Sequence, residues 1–402
     1  MAILSVNAGS SSLKFSIYPV AHGQVQAQIM AGNIQGLEPG GEPSLDWTFQ
    51  GVSKSVRLPA SESDPFEQAL KSLHVLLANE AGVPRIDAIA HRVVHGGQSF
   101  RESVRVTDAV LEELEKLNSL APLHQPNNIK GIRAFQKAFP TVPQVACFDT
   151  AFHASIGEMD YSFAIPQKLA QEGVRRYGFH GLSYHYVMGV LRQHSARAMG
   201  RVLMAHLGNG ASLCAALEGK SCATTMGFSA VDGLMMGTRT GALDPGVILY
   251  LLEQGWDHQQ LQNLLYKQSG LLGVSGISAD MRKLRNDGSA AAQRAIDMFT
   301  HRVIREAGAL VASMQGLDLI AFSGGIGEHD AVLRGQVCER LAWMGVAIDP
   351  QLNVEATGAE VRSIHRPNSR VEVWVVPTDE GLVAAQEAAR IAVELKPNEV
   401  SP

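Results

Sequence analysis

Apolar residues recur along the chain with two spacings, alternating in some stretches and three to four apart in others, and these divide it into strands and helices. Ile3, Leu4 and Val6 predict a first strand. Leu13, Phe15 and Ile17 place one apolar face on a second, with Lys14, Ser16 and Tyr18 facing the other way. Between them runs Asn7-Ala8-Gly9-Ser10-Ser11-Ser12, a turn crowded with hydroxyls and backbone N–H groups. Such a turn can hold phosphate, and it equally suits an ordinary hairpin, so alone it decides nothing. Short alternating pieces such as Leu45–Phe49 predict further strands up to about residue 60. Ser63-Asp64-Pro65 reads as a helix start, and Phe66, Ala69, Leu70, Leu73, Leu76 and Leu77 follow at helical spacing. A strand is predicted over 88–94, helices over 108–117 and from about 126 to 138, and a strand over 142–148 that ends at Asp149.

The plan then repeats. Val202–Leu207 runs into Gly208-Asn209-Gly210-Ala211-Ser212, and Leu213–Leu217 returns as a strand. A third glycine turn, Ser323–Glu328, follows the apolar strand 319–322 and opens a helix ending near Met344; the free N–H groups of a first helical turn suit an anion or nucleotide. A buried strand over 371–376 and a helix from about Asp379 to Leu395 complete the order. Strands followed by alternating strands and helices imply mixed sheets with helices on their faces.

At 402 residues the chain exceeds what one core usually serves, so two domains with a cleft are expected. Hydrophobic residues at 46% and charged ones at 18% describe a globular mixture. A net charge of -5 without a basic patch argues against nucleic acid as a partner. Cys147, Cys214, Cys222 and Cys338 lack the spacing of a zinc or redox pair and read as reduced, mostly buried thiols. The N-terminus enters a strand directly, with no signal-peptide pattern and no long apolar run elsewhere; a soluble cytoplasmic protein without membrane association is expected.

Gly219-Lys220-Ser221 has the tail of a phosphate-binding P-loop, but Cys214 stands where that loop needs its first glycine, and a hairpin turn is expected there. His180 and His185 lack the spacing of two ligands on one helix face. What recurs is a polar residue at a strand end beside a Gly-rich turn: Asn7, Arg92, Asp149, His206, Arg239 and Glu380. Ligands of open α/β sheets bind at such ends. Singly each has a plain reading: Arg92 a surface charge, Asp149 a helix cap, His180 a core histidine.

All of these but Glu380 fall in segments that resemble acetate kinases. The segments are Asn7–Phe15, His91–Gly97, Ala121–His124, Phe148–His153, Tyr177–Gly181, His206–Gly210, Gly233–Arg239 and Gly325–Glu328, in the family's order over almost the whole chain. The resemblance implies a duplicated actin-like (ribonuclease H-like) α/β fold of the acetate and sugar kinase, heat-shock ATPase and actin superfamily. Two domains would flank a nucleotide cleft: residues 1–150 with 382–402, and residues 151–381, the second binding nucleotide. The implied reaction is reversible phosphoryl transfer from ATP to acetate, giving acetyl phosphate and ADP. Mg²⁺, or Mn²⁺ in its place, would be the cofactor, and a homodimer the assembly.

The resemblance carries residue roles as well. Asn7, Asp149 and Glu380 match the Mg²⁺ environment. Arg92 and Arg239 match two active-site arginines, whose planar forks suit a carboxylate and a transferring phosphoryl group. His180 matches the group that stabilises the phosphoryl in flight, with His124 and His206 in support and Asp149 also counted as catalytic. Ser10, Ser12 and Lys14 would meet phosphates; Gly208, Asn209, Gly210, Asp280, Arg282, Gly325, Ile326 and Gly327 would line the nucleotide with His206. Arg92, Val94, Leu123, Phe179 and Ala230 would form the acyl pocket. A carboxylate is already a nucleophile at neutral pH, so no general base is required.

Several positions depart from the family's usual pattern: Gln125 and Asn127 after His124, Leu182 and Tyr184 after His180-Gly181, and Ala223, Ala230 and Ala242. Alanine in place of proline at 230 could admit a longer acyl chain, which keeps propionate as an alternative acceptor. An actin-like ATP-binding switch without a carboxylate acceptor is the alternative from another class, and paired Arg92 and Arg239 with His180 argue against it. The sequence leaves open the physiological direction, the nucleotide preference and the regulation.

Overall fold

The computed structural model describes residues 1–9, 11–38, 41–59, 65–122 and 124–394, the last two without their side chains. Ser10, Ser63, Asp64, Leu123 and Leu395, named above, lie outside the described residues. Residues Met1–Ala151 with the chain from Asp379 onward form one compact unit, and Phe152–Thr378 form a second.

The first unit is built on β1 (Ala2–Ala8), β2 (Ser12–Ala21), β3 (Met30–Gln35), β4 (Ile86–Val93) and β5 (Gln144–Phe148). They lie in the order β3-β2-β1-β4-β5 within a sheet of nine strands among the described residues. β1 and β2 pair antiparallel with Asn7 opposite Lys14. β1 and β4 pair parallel with Val6 opposite His91, and β4 and β5 parallel with Val93 opposite Phe148. β1 is buried along nearly its whole length, as a central strand covered on both faces requires. Leu13, Phe15 and Ile17 pack with Ala69, Leu70 and Leu73 of the helix Pro65–Asn79 in one core cluster. The other face of β2 is not wholly polar: Tyr18 is buried, and its hydroxyl donates to Asp379 Oδ1 at 2.7 Å. The C-terminal helix Glu380–Glu394 packs against this face, and burying one such ring contributes roughly 2 kcal/mol. β5 starts two residues later than the sequence suggests, after Pro143, which has no N–H for the ladder.

The second unit repeats that core. β6 (Arg201–Leu207), β7 (Ala211–Leu217), β8 (Lys220–Thr224), β9 (Leu319–Ser323) and β10 (Glu372–Val375) lie in the order β8-β7-β6-β9-β10. β6, β7 and β8 are antiparallel neighbours, while β6, β9 and β10 run parallel. Order and directions are those of the first unit, so the expected duplication is present in the topology. The decoy Gly219-Lys220-Ser221 sits at a hairpin turn, with Glu218 at φ 51 and Gly219 at φ 75. Tyr184, Val187, Met188 and Leu191 of the helix Gly181–His194 form a core cluster with residues of β6, β7 and β9.

Two expectations fail here. The helix expected to run from the third glycine turn to near Met344 is broken at Asp330, giving Gly324–His329 and Ala331–Arg340. Asp330 accepts from Leu333 N at 2.9 Å and starts the second helix. Arg334, fully buried, donates to the carbonyls of Gly327 and Glu328 at 2.8 and 2.7 Å and so terminates the first. Nor are all first-turn donors open to a ligand: the Glu328 carboxylate takes Gly324 N–H at 2.8 Å and Thr378 N–H at 3.1 Å. The apolar run 249–252 lies on the helix Pro245–Glu253 with Leu249 61% and Tyr250 58% exposed, so it is not core. Among the described residues no helix is long and apolar enough to cross a membrane.

Candidate functional site

In the first unit three strand ends gather the polar residues. Asn7 lies at the end of β1, one residue beyond the Val6–His91 pair, and Arg92 holds the same place on β4. Asp149 follows β5, with its N–H on the Val93 carbonyl at 3.0 Å. Arg92 meets Asp149 through two parallel bonds, Nε to Oδ1 at 2.9 Å and Nη2 to Oδ2 at 2.6 Å, and Nη1 lies 3.4 Å from Glu380 Oε2. Burial works against the charge on Arg92, yet the two carboxylates outweigh it and hold the guanidinium pKa above its ordinary value. Arg92, Asp149 and Glu380 are therefore one cluster.

Asn128 ties this end together, donating to Ala8 O and accepting from Val94 N, both at 3.0 Å. Gln125, one of the departures, is fully buried and donates to His95 O at 3.0 Å. His124 begins the helix Gln125–Ala138. Ser12 starts β2, and the preceding turn is closed by Gly9 N–H on Ser12 O at 2.8 Å. Lys14 is exposed and shares a groove with Asn33, Asp46 and Trp47.

The second unit assembles the remaining residues around the turn joining β6 to β7. His180, the residue before the helix Gly181–His194, has left-handed backbone (φ 60, ψ 24), which costs a non-glycine residue about 1–2 kcal/mol. His153 braces this strained stretch. Its Nε2 lies 2.9 Å from Phe179 O and must carry the proton, so Nδ1 accepts from Ser221 Oγ at 2.8 Å. Burial, against the opposing effect of the Phe179 bond, holds the His153 pKa down at about 4. Gly178, at φ 76, lies so close to the His153 ring that a Cβ would stand 2.6 Å from it.

The rings of His180 and His206 stack with centroids 4.2 Å apart. His180 Nδ1 is 2.9 Å from Ser212 Oγ, and His206 Nδ1 is 2.8 Å from Ser183 Oγ. Arg239 Nη1 donates to the carbonyl of Ala230 at 2.8 Å. A Cβ on Gly210 would stand 3.3 Å from His180 Nε2 and 3.4 Å from Arg239 Nη2, so both groups are aimed at the bare backbone of this turn. Asn209 belongs to the same surface, its carbonyl taking Gly237 N–H at 2.9 Å. Phe179 is buried and Val94 and Ala230 are half-buried, the first and last in this unit and Val94 in the other.

Asp280 caps the helix Met281–Asp287 and pairs with Arg282 at 2.8 Å, which draws its pKa down to about 2. Gly325 is exposed, Ile326 half-buried and Gly327 buried in the short helix after β9. Sequence reasoning gave no role to Asn128, His153, Ser183, Ser212 or Thr378. His153 stood inside a quoted motif; the hydroxyl residues carry no pattern of their own.

The sequence model of the acetokinase family matches residues 2–386. The chain belongs to the acetokinase family. It is 46% identical over 395 residues to an acetate kinase of Rhodopseudomonas palustris, covering 97% of this chain and 98% of that one. A propionate kinase from Francisella tularensis superposes with a TM-score of 0.90 at 35% identity, covering 97% of this chain and 99% of its own. An acetate kinase of Porphyromonas gingivalis gives 0.87 at 36%, with the same coverage. The acetokinase fold is thus the duplicated α/β fold that the two matching sheet cores display.

Proposed function

We propose that the protein is an acetate kinase that transfers the γ-phosphoryl group of ATP reversibly to acetate, forming acetyl phosphate and ADP. The observation that carries this reading is the joint aim of His180 Nε2 and Arg239 Nη2 at Gly210, whose lack of a side chain leaves room for an anion beside both. Arg92 orients the acceptor carboxylate. One of its oxygens attacks the γ-phosphorus while the bond to the β-bridging oxygen breaks, and ADP leaves with that electron pair, so no proton need be removed. His180 and Arg239 bind the charge spread over the equatorial oxygens, supported by His124 and His206.

Nucleotide binding is assigned to the unit Phe152–Thr378, with Gly208–Gly210, Asp280, Arg282 and Gly325–Gly327 along it, and phosphate contact to Ser10, Ser12 and Lys14. Val94, Leu123, Phe179 and Ala230 line the acyl group. Asp149 and Glu380 suit Mg²⁺, or Mn²⁺, which takes one or two carboxylates together with substrate phosphates, and Asn7 stands on the strand next to that of Arg92. When bound, such an ion neutralises charge on the phosphates. The exposed apolar face of the helix Pro245–Glu253 supports a homodimer, and the cytoplasm is the proposed location.

Propionate is the second reading, favoured by the small side chain of Ala230, the residue whose carbonyl Arg239 takes at 2.8 Å. Trapping acyl phosphate with hydroxylamine, from ATP, Mg²⁺ and a series of carboxylates, tests both. Acetyl and, more weakly, propionyl hydroxamate are expected. ATP hydrolysis without any hydroxamate would overturn the reading in favour of an ATP-driven switch.

A further inference from the structure

Behind the stacked imidazoles lies a second layer of hydroxyls. Tyr184, fully buried, has its hydroxyl 2.5 Å from Ser212 Oγ, which in turn is 2.9 Å from His180 Nδ1. Ser212 is also fully buried. Burial pushes the Tyr184 pKa well above its ordinary value, so the phenol keeps its proton and needs an acceptor. Ser212 Oγ is the side-chain oxygen within reach. Having accepted from Tyr184, Ser212 must place its own single hydrogen, and His180 Nδ1 is its other partner. In the opposite direction Nδ1–H would donate to Ser212, and a hydroxyl hydrogen would be left buried without an acceptor, at a substantial cost.

The same polarity recurs beside it. Thr378 Oγ1 donates to Ser183 Oγ at 2.9 Å, and Ser183 Oγ lies 2.8 Å from His206 Nδ1.

We propose that Tyr184 and Ser212 form a one-way hydroxyl relay that fixes His180 as its Nε2–H tautomer, making Tyr184 a positioning residue for the reaction. The role in the reaction rests on the kinase reading; the tautomer itself does not. With Nδ1 committed to Ser212, the hydrogen on Nε2 points toward Gly210, where it can be donated to a phosphoryl oxygen. Tyr184 is one of the positions where the sequence departs from the family's usual pattern, so this hydroxyl donor is the chain's own variant of the motif. A phenol that keeps its proton always has one hydrogen to place, and here Ser212 Oγ is where it goes.

The test is tautomer-sensitive nitrogen NMR on the full-length protein labelled with ¹⁵N-histidine, the His180 signals being identified by their loss in His180→Gln. The relay predicts a protonated Nε2 and an unprotonated Nδ1 in the wild type, read without any substrate. In Tyr184→Phe the Nδ1–H form should appear, and kcat should fall on the order of tenfold or more with KM changed less than twofold, as for an imidazole held in the wrong tautomer. Ser212→Ala should give the same two changes, which guards against a folding defect peculiar to Tyr184→Phe. An Nδ1–H tautomer in the wild type, or unchanged nitrogen signals in both variants, would overturn the relay. Shifted signals with unchanged kcat would overturn the positioning role. A negative hydroxamate assay beside the expected tautomer would strike the kinase reading and leave the relay standing.

Discussion

The two five-strand cores place residues at matching positions, and the chemistry at those positions differs. By strand register, Asn7, Lys14, Arg92 and Asp149 of the first unit correspond to His206, Ser212, Ser323 and Thr378 of the second. Three of the first set are charged, Asn7 being the neutral member, and Arg92 is held by carboxylates. The second is neutral: Ser212, His206 and Thr378 are bonded to an imidazole or a hydroxyl, while the buried Ser323 hydroxyl has no partner among the described residues. One scaffold has thus been fitted once with ion pairs, which can be exchanged for a charged ligand, and once with directional hydrogen bonds, which fix the orientation of rings. Strand ends are conducive to both because the backbone there is already committed and only the side chains vary.

The comparison breaks most severely at Arg239, the cation that the neutral half adds from a loop. Arg239→Lys keeps the charge and loses the fork that spans the Ala230 carbonyl and the Gly210 surface; turnover should fall by roughly 10³ or more. Near-wild-type kcat for that variant would show that a point charge suffices.

Acid should expose the next difference. Burial lowers the pKa of His91 and His95 in the first unit, and of His153 in the second, from 6.5 to about 4. The unfolded chain binds these protons first, so the stability that the neutral rings contribute is complete above pH 6.5 and is lost as the pH falls toward 4. Each ring accounts for on the order of 3 kcal/mol across that window. Denaturant titrations at pH 7, 5.5 and 4.5 should show the decline, and His91→Gln should flatten it; a slope unaffected by the substitution would assign the acid sensitivity elsewhere.

Asp149→Asn probes the charged half alone. It removes a charge-assisted pair from Arg92, and a loss of about 1–3 kcal/mol in chemical denaturation is expected together with impaired turnover. The smallest effect belongs to Ala230→Pro. It preserves the carbonyl that Arg239 uses and narrows the acyl side, so the propionate-to-acetate ratio of kcat/KM should drop by about tenfold, one methylene being worth about 1–3 kcal/mol. An unchanged ratio would remove residue 230 from the pocket.

The fold was legible where burial has a period or runs unbroken. β2 and the helix Asp108–Lys116 follow from alternation and helical spacing, and β1, β6 and β7 from nearly unbroken apolar runs buried on both faces. The helix break at Asp330 was not legible, since Asp330 acts there through a local cap and through the burial of Arg334, whose partners are carbonyls and Asn353, a set that leaves no trace in hydropathy. The burial of Tyr18 was not legible, because a helix almost the whole chain away covers its face. In the site, Arg92, Asp149 and His180 stood out by residue type and motif. Ser183, Ser212 and Thr378 did not, because a serine or threonine that completes a relay looks the same in sequence as one that faces water.

The C-terminal helix has a consequence for how the protein is made. Its buried face, with Val383, Ala384, Ala385, Ala388 and Ala389, packs on β1, β4 and β5, yet about 230 residues of the second unit are synthesised between β5 and that helix. At about 5–20 residues per second the ribosome needs roughly ten to fifty seconds to bridge that gap. For that interval the nascent first unit lacks one of its layers, while the inserted unit already has its whole sequence outside or nearly outside the tunnel before the last layer arrives. The later-made unit can therefore finish folding first, and the apolar face awaiting the helix is where a chaperone would be needed.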